Sequence, residues 1–274
     1  MRFPDALRAI VLASAFAAGT SFGAAEATRG EIAARLAQQI PEVPAASYPL
    51  GSAAFDEELR ARVEAEAAAA APVLEAGKKA WERKFKNGRT LASCFPNGGR
   101  RVAATYPQYD PRLKRVITLE MAVNQCLKTH NEALLDQGDS QAMGSVTAYL
   151  RSLANGQKVA VRVPPAAEER FEQGKRLYFT RMGQRNFACA SCHLQGAGKR
   201  YLDEPLSPAI GQATHFPVIR GGTAVTLHAR MRQCLELMGA APFAAGSEEL
   251  NDLEFFLTYL SNGLRVLPAP WRPG

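Results

Sequence analysis

The 274-residue sequence predicts an all-α fold of two tandem domains related by duplication. Two observations carry the duplication and a third carries the helical class. Strings recur with a period of about 100 residues, which is the size of a domain rather than of a solenoid repeat. Gly77-Lys78-Lys79-Ala80-Trp81 resembles Gly174-Lys175-Arg176-Leu177-Tyr178, Ala92-Ser93-Cys94 returns as Ala190-Ser191-Cys192, and Tyr106-Pro107 returns as Phe216-Pro217. Ile117-Thr118-Leu119 with Gln125-Cys126-Leu127 parallels Val225-Thr226-Leu227 with Gln233-Cys234-Leu235, the Thr-to-Cys spacing being eight in both. The two copies also end alike: Tyr149 to Gly156 and Phe256 to Gly263 each read as an apolar-faced helix closed by Asn-Gly, where glycine takes the left-handed conformation of a helix stop. Finally, no stretch alternates apolar and polar residues over several positions, which argues against a large sheet.

Taken in order, residues 1–27 read as an export signal, with basic Arg2 and Arg8, an apolar run from Ala9 to Ala18, and small residues near Ala25 and Ala27 for cleavage. That run is shorter than the ~20 apolar residues a membrane helix needs, and nothing later approaches them, so the expected location is the periplasm with no membrane span. Residues 28–54 form an arm with a short helix, Glu31 to Gln39, before several prolines. The Ala-rich stretch from Phe55 to Ala71 is strongly helical, and Pro72, at home in a first turn, starts a second helix through Lys86. The first domain spans 55–156, a linker 157–167 contains Pro164-Pro165, which cannot continue a helix, and the second domain spans 168–274. The net charge is +7, and cleavage leaves it unchanged because Arg2 and Arg8 balance Asp5 and Glu26. Such a surface suits an acidic partner or is simply solvated, and no aromatic-interleaved basic stripe points to nucleic acid.

The chemistry centres on Cys189-Ala190-Ser191-Cys192-His193. Two thiols on one helical turn can form thioethers to the two vinyl groups of a haem while the adjacent imidazole reaches the iron, so C-x-x-C-H reads as c-type haem attachment. A zinc site would want two more clustered ligands, and a redox C-x-x-C would want a βαβ setting. In the first copy Leu91 and Phe95 stand where the first thioether cysteine and the iron-binding histidine would be. The expectation is two cytochrome c-like domains, the first without haem and the second with one covalent haem c.

The duplication also bears on the other cysteines. Cys234 follows Cys192 by forty-two residues, where a small cytochrome c delivers its distal ligand, and a thiolate there would stabilise iron(III). Met231 and Met238 flank it and compete for that role; His/Met ligation would make a plain electron carrier. Cys126 is the counterpart of Cys234, so Cys94 and Cys126 would both have faced the lost haem. A disulfide between them would contribute on the order of 3 kcal/mol and leave Cys234 unpaired and a candidate reactive thiol. Arg230, one turn before Cys234 on the same helical face, with Arg232 and His228 close by, can hold an anion beside the sulfur or neutralise haem propionates. His130 and His215 are expected to be solvated or hydrogen-bonded.

The chain resembles the SoxA family, the catalytic cytochrome c subunits of the bacterial Sox sulfur-oxidation system, in the monohaem form whose first domain carries a disulfide. The resemblance rests on Ser93-Cys94-Phe95-Pro96-Asn97-Gly98-Gly99, Tyr106-Pro107-x-Tyr109-Asp110, Val116-Ile117-Thr118-Leu119-Glu120, Asn124-Gln125-Cys126, Gly196-Ala197-Gly198-Lys199-Arg200, Phe216-Pro217 and Leu227-His228-x-Arg230 leading to Cys234. It implies an L-cysteine S-thiosulfotransferase, a heterodimer with a small SoxX-like cytochrome that joins thiosulfate oxidatively to a cysteine of a SoxYZ-like carrier and passes the electrons to haem. It further implies that Cys234 is the haem-ligating catalytic residue, found as a persulfide, and that Arg230 binds the sulfur anion. Two departures stand out. Leu260 occupies the place of a second active-site arginine in the last helix, and Leu237-Met238-Gly239-Ala240 replaces an Arg-rich segment.

Overall fold

The computed structural model describes residues 22–267 apart from Ser140 and Leu202, so the expected export signal lies outside the described residues up to position 21. The first helix, α1 (Phe22–Gln39), begins well before the expected Glu31 and runs through the expected cleavage position. Its buried stripe of Ala25, Thr28, Ile32 and Leu36 has the three-and-four spacing of an amphipathic helix. Those residues dock on the second repeat: the Tyr259 hydroxyl donates to Glu26 at 3.3 Å and Lys175 Nζ donates to Thr28 Oγ1 at 2.9 Å. Tertiary contact thus extends a helix that its own sequence signals only from Glu31.

A 3-10 stretch, Ala45–Ala54, leads to α2 (Glu57–Glu66), whose N-terminus is capped by Asp56 accepting from the Leu59 amide at 3.1 Å. The long helix expected from Phe55 to Ala71 is interrupted by a 3-10 turn, Ala67–Ala70, before α3 (Ala71–Glu82), which carries Pro72 in its first turn. Helix α3 stops four residues short of the expected Lys86, where Phe85 to Arg89 close a tight turn with Gly88 in the left-handed region.

From α3 onward the two repeats are built alike. In repeat 1, α3 is followed by a 3-10 turn at Leu91–Cys94, the hairpin β1 (Gln108–Asp110) and β2 (Arg115–Ile117), then α4 (Leu119–Thr129) and α5 (Ala142–Ser152). In repeat 2, α6 (Glu168–Phe179) precedes α7 (Cys189–His193), a minimal hairpin of β3 (Arg200–Tyr201) and β4 (Glu204–Pro205), a second hairpin of β5 (Val218–Arg220) and β6 (Thr223–Val225), and the helices α8 (Leu227–Leu237) and α9 (Glu248–Leu260). The short hairpins are the only strand pairs among the described residues, so the expected all-α class holds with small β turns grafted on. Thr118 and Thr226, matched in sequence, cap α4 and α8 in the same way, each accepting from the amide three residues on.

Each repeat is held by one close helix crossing, α3 on α5 and α6 on α9, and a glycine makes both possible. A Cβ on Gly77 would lie 2.0 Å from the Ser145 carbonyl oxygen, and one on Gly174 would lie 2.0 Å from that of Asp252. The repeats then pack reciprocally, α5 against β6 and α9 against β2. One hydrophobic core runs through both, from Trp81, Val123 and Leu150 to Phe171, Phe256 and Leu260. The segment between the repeats is also tied down: Gln157, Val159 and Val161 pair with the C-terminal residues Val266, Gly263, Leu264 and Asn262.

Candidate haem and sulfur site

Helix α7 is a single turn whose ends are secured by one side-chain and one backbone hydrogen bond, which is why so short a helix forms. Ser191 Oγ accepts from the Ala188 amide at 3.0 Å, and the His193 carbonyl accepts from Ala209 at 2.7 Å. That turn presents Cys189, Cys192 and His193 to a mostly apolar cavity of about 540 Å³. The wall includes Tyr178 from α6, Phe216 and Val218 from the second hairpin, Leu257 from α9, and Arg230, Met231 and Cys234 from α8. All five residues assigned to haem or sulfur chemistry therefore converge on one cavity.

His193 Nδ1 donates to the Ser207 carbonyl at 2.9 Å, with the Gln212 amide 2.6 Å away. That bond fixes the tautomer and puts the lone pair on Nε2, the nitrogen an iron ligand uses. Burial pushes the Cys189 thiol up to about 12, with Cys234 adding to the effect, and raises Cys192 in the same way. Both thiols are therefore neutral and sheltered, as sulfurs destined for thioethers can be, and both lie within electrostatic reach of Cys234. Burial likewise lifts the Tyr178 hydroxyl well above its ordinary range. A cavity of this volume and apolarity, with two thiols and a tautomer-fixed imidazole on one wall and a sulfur on another, fits a haem.

On α8 the buried face is His228, Met231 and Leu235, and Cys234 sits beside it, partly exposed, at the cavity surface. Met231 and Met238 are buried and also line the cavity. The expected company of Arg230 is only partly found. Arg232 lies outside the lining, and His228 points into the contact between repeats, where Nδ1 accepts from the Gly246 amide at 3.0 Å and Nε2 lies 3.1 Å from Glu254. Leu260, at the place of the second arginine, is fully buried and contributes nothing to the lining.

Sequence reasoning missed two arginines that line the cavity, Arg185 and Arg220. Arg220 is the last residue of β5, and a signal for it existed: Val218-Ile219-Arg220-Gly221-Gly222-Thr223-Ala224-Val225 is two β-prone runs around Gly-Gly, the mark of a two-residue hairpin.

Repeat 1 places its matching residues differently. Leu91 and Phe95 are buried at the positions of Cys189 and His193, and the Phe95 ring lies 5.2 Å from that of Trp81, the counterpart of Tyr178. Cys94 and Cys126 form the expected disulfide, with their Cα atoms 5.9 Å apart. His130 lies near those sulfurs and meets Asn87 at 2.8 Å, while His215 is buried beside Phe216.

A family model described as the SoxA/TsdA cytochrome c domain matches residues 76–159 and 173–266, the two repeats in turn. The chain belongs to the SoxA family. It is 45% identical over 197 residues to the L-cysteine S-thiosulfotransferase subunit SoxA of Chlorobaculum tepidum, covering 70% of this chain and 68% of that one. It is 38% identical to SoxA of Allochromatium vinosum over 236 residues, 84% of this chain and 83% of the other. The crystal structure of SoxXA from P. pantotrophus superposes with a TM-score of 0.69 at 28% identity, covering 75% of this chain and 79% of that one. The SoxA matches agree with the reading of the chain as a thiosulfotransferase subunit, and the split match agrees with duplication.

Proposed function

We propose that this chain is the SoxA-type subunit that couples thiosulfate oxidatively to a cysteine of a carrier protein. The observation that carries the reading is the convergence of Cys234 and Arg230 on the cavity that also receives Cys189, Cys192 and His193. Cys189 and Cys192 would hold one haem c covalently, His193 and Cys234 would bind its iron, and the group would supply one-electron acceptance. Arg230, which lines the same cavity one helical turn from Cys234, would hold a thiosulfate dianion with its terminal sulfur toward Cys234. An S–S bond then forms between that sulfur and the Cys234 thiolate, and two electrons leave in succession for the acceptor. The carrier cysteine thiolate attacks the thiosulfate-derived sulfur, the Cys234–S bond breaks, and Cys234 departs as thiolate while the carrier retains the thiosulfonate. Atoms and charge balance, and no proton is required.

The partners follow from that chemistry. A second cytochrome, SoxX-like, would receive the electrons in a heterodimer, and a SoxYZ-like carrier would present the thiol. Among the described residues no helix is long and apolar enough to cross a membrane, and export by the signal expected over residues 1–27 would put the complex in the periplasm.

Cys234→Ala should abolish transfer and open the oxidised haem to exogenous ligands, while Cys234→Met should raise the reduction potential because a neutral thioether favours iron(II). Met231→Ala and Met238→Ala should leave the low-spin spectrum intact. If instead Cys234→Ala keeps that spectrum and a methionine variant loses it, the protein is a His/Met electron carrier. Intact-protein mass should show one haem per chain; two would refute the loss of haem from repeat 1.

A further inference from the structure

An imidazole that binds iron through Nε2 needs acceptors at Nδ1, and repeat 2 carries a polar side chain there that repeat 1 lacks. Counting back four positions from the matched Tyr106-Pro107 and Phe216-Pro217, Val102 and Gln212 correspond. Each opens a 3-10 turn, Val102–Thr105 and Gln212–Thr214, and each turn is entered through a residue in the left-handed region, Arg101 with φ 65° and Gly211 with φ 94°. The backbone is thus shared and the side chain is not. Where repeat 1 has Phe95 in place of the imidazole it has buried, apolar Val102 in place of Gln212, so the amide goes with the histidine.

The turn that delivers Gln212 is fixed from both sides. The Gly211 amide donates to Ser261 Oγ at the end of α9 at 2.9 Å, and a Cβ on Gly211 would lie 2.7 Å from the Pro49 nitrogen in the N-terminal arm. Thr214 Oγ1 donates to the Gly211 carbonyl at 2.6 Å and closes the turn. Gln212, only 9% exposed, therefore meets His193 at one place: its side-chain amide lies 2.6 Å from Nδ1 and 3.2 Å from Ser207 Oγ.

With its lone pair on Nε2 the ring carries its hydrogen on Nδ1 and donates to the Ser207 carbonyl at 2.9 Å. An amide N–H at the same nitrogen would set two donors against each other, whereas the amide turned end for end offers an acceptor. We propose that Gln212 is a positioning residue for the iron-binding imidazole, its carbonyl oxygen sharing the Nδ1 hydrogen with the Ser207 carbonyl and accepting the Ser207 hydroxyl as a second donor. The inference rests on the reading of His193 as an iron ligand. Two acceptors on one N–H draw its proton outward and leave Nε2 more electron-rich, which favours iron(III). Gln212 then acts in the same sense as a thiolate at Cys234, and both hold the potential of the acceptor down.

The test is the reduction potential of the haem-loaded protein, with haem content measured on the same samples. Gln212→Leu removes the acceptor and should raise the potential, shifting the ratio of oxidised to reduced haem at a fixed solution potential about tenfold toward the reduced form. Gln212→Met, apolar and as long as glutamine, carries the same test if Gln212→Leu loads haem poorly. Gln212→Glu keeps an acceptor of the same shape and should hold the potential at or below that of the unaltered protein. In a Cys234→Ala background, Gln212→Leu should also lower the iron–histidine stretching frequency of the ferrous haem, which a purely structural role would not move. A potential that stays or falls in the apolar variants, or that rises as far in Gln212→Glu as in them, overturns the proposal. Failure of the underlying reading would show separately, as a low-spin spectrum that survives His193→Ala.

Discussion

Where the turn after the first long helix of repeat 2 offers Cys189 and His193 to a cavity, the same turn of repeat 1 buries Leu91 and Phe95, packs Phe95 at a tilt against Trp81, and ties Cys94 to Cys126. The backbone around them is nearly the same: two crossing helices, a hairpin, and a Thr-capped helix carrying the cysteine. One scaffold therefore tolerates two fillings, because its stability comes from the helix crossing and a core shared with the other repeat rather than from the group in the middle. Repeat 1 fills the corresponding space with aromatic side chains and a covalent link.

The largest effects should come from the crossings. Alanine at Gly77 or Gly174 puts a Cβ into a carbonyl oxygen of the facing helix, backbone against backbone, so no rotamer change relieves it and the helices must separate. Each substitution should cost about 3 kcal/mol or more by thermal or denaturant unfolding. The comparison sharpens in the second readout. Tyr178 on α6 and Leu257 on α9 wall the cavity, so Gly174→Ala should also lower haem incorporation, whereas Gly77→Ala should not. Equal haem loss in both would mean that the repeats do not divide their roles in this way.

The disulfide comes next. Replacing both Cys94 and Cys126 by alanine should destabilise the protein by about 3 kcal/mol, since the bond closes a loop over a sequence separation of 32. Haem content and the spectrum should stay as they were, because the sulfurs lie in the repeat without a cavity motif. A spectral change would show that repeat 1 is coupled to the iron.

Much of this was legible in the sequence, for reasons that separate into local and tertiary. The C-x-x-C-H string, the matched Thr-to-Cys spacing and the Asn-Gly helix ends are local signals, and they gave the duplication, the turn that carries Cys189, Cys192 and His193 to the cavity, and the disulfide pair. The length of α1 was not legible, because Ala25 and Thr28 are held in the helix by packing and by Tyr259 and Lys175, far away in sequence. His228 was misplaced for a similar reason. Helical spacing put it near Cys234, but Glu254 on α9 and the Gly246 amide, both later in the same repeat, decide which way the ring turns. Arg220 was not legible from alternation because its hairpin strands are only three residues long, too short for a period of two to show.

The smallest predicted effect compares the two crossings themselves. Repeat 1 has Val73 and Ser145 where repeat 2 has Arg170 and Asp252, so only the second crossing carries a charge pair. Arg170 Nη1 lies 3.5 Å from Asp252 and also contacts Glu248. Burial lifts the Asp252 carboxyl from its ordinary 3.8 to about 6; Arg170 pulls it down, while Glu249 and Glu169 push it up. Its Oδ1 is buried with no hydrogen-bond partner among the described residues, which agrees with a carboxylate poorly served by its site. A folded-state pKa above the unfolded one means that the native protein binds the proton more tightly. Stability from this group is therefore full below about pH 4, falls as pH rises toward about 6, and is flat beyond. The drop should be about 1 kcal/mol once screening at the solvent-facing edge of the pair is allowed for. Asp252→Asn should remove that slope from unfolding midpoints recorded between pH 4 and 7, and Ser145→Ala in repeat 1 should leave it in place. A slope that persists in Asp252→Asn would assign the pH dependence to another group and leave the two crossings energetically alike.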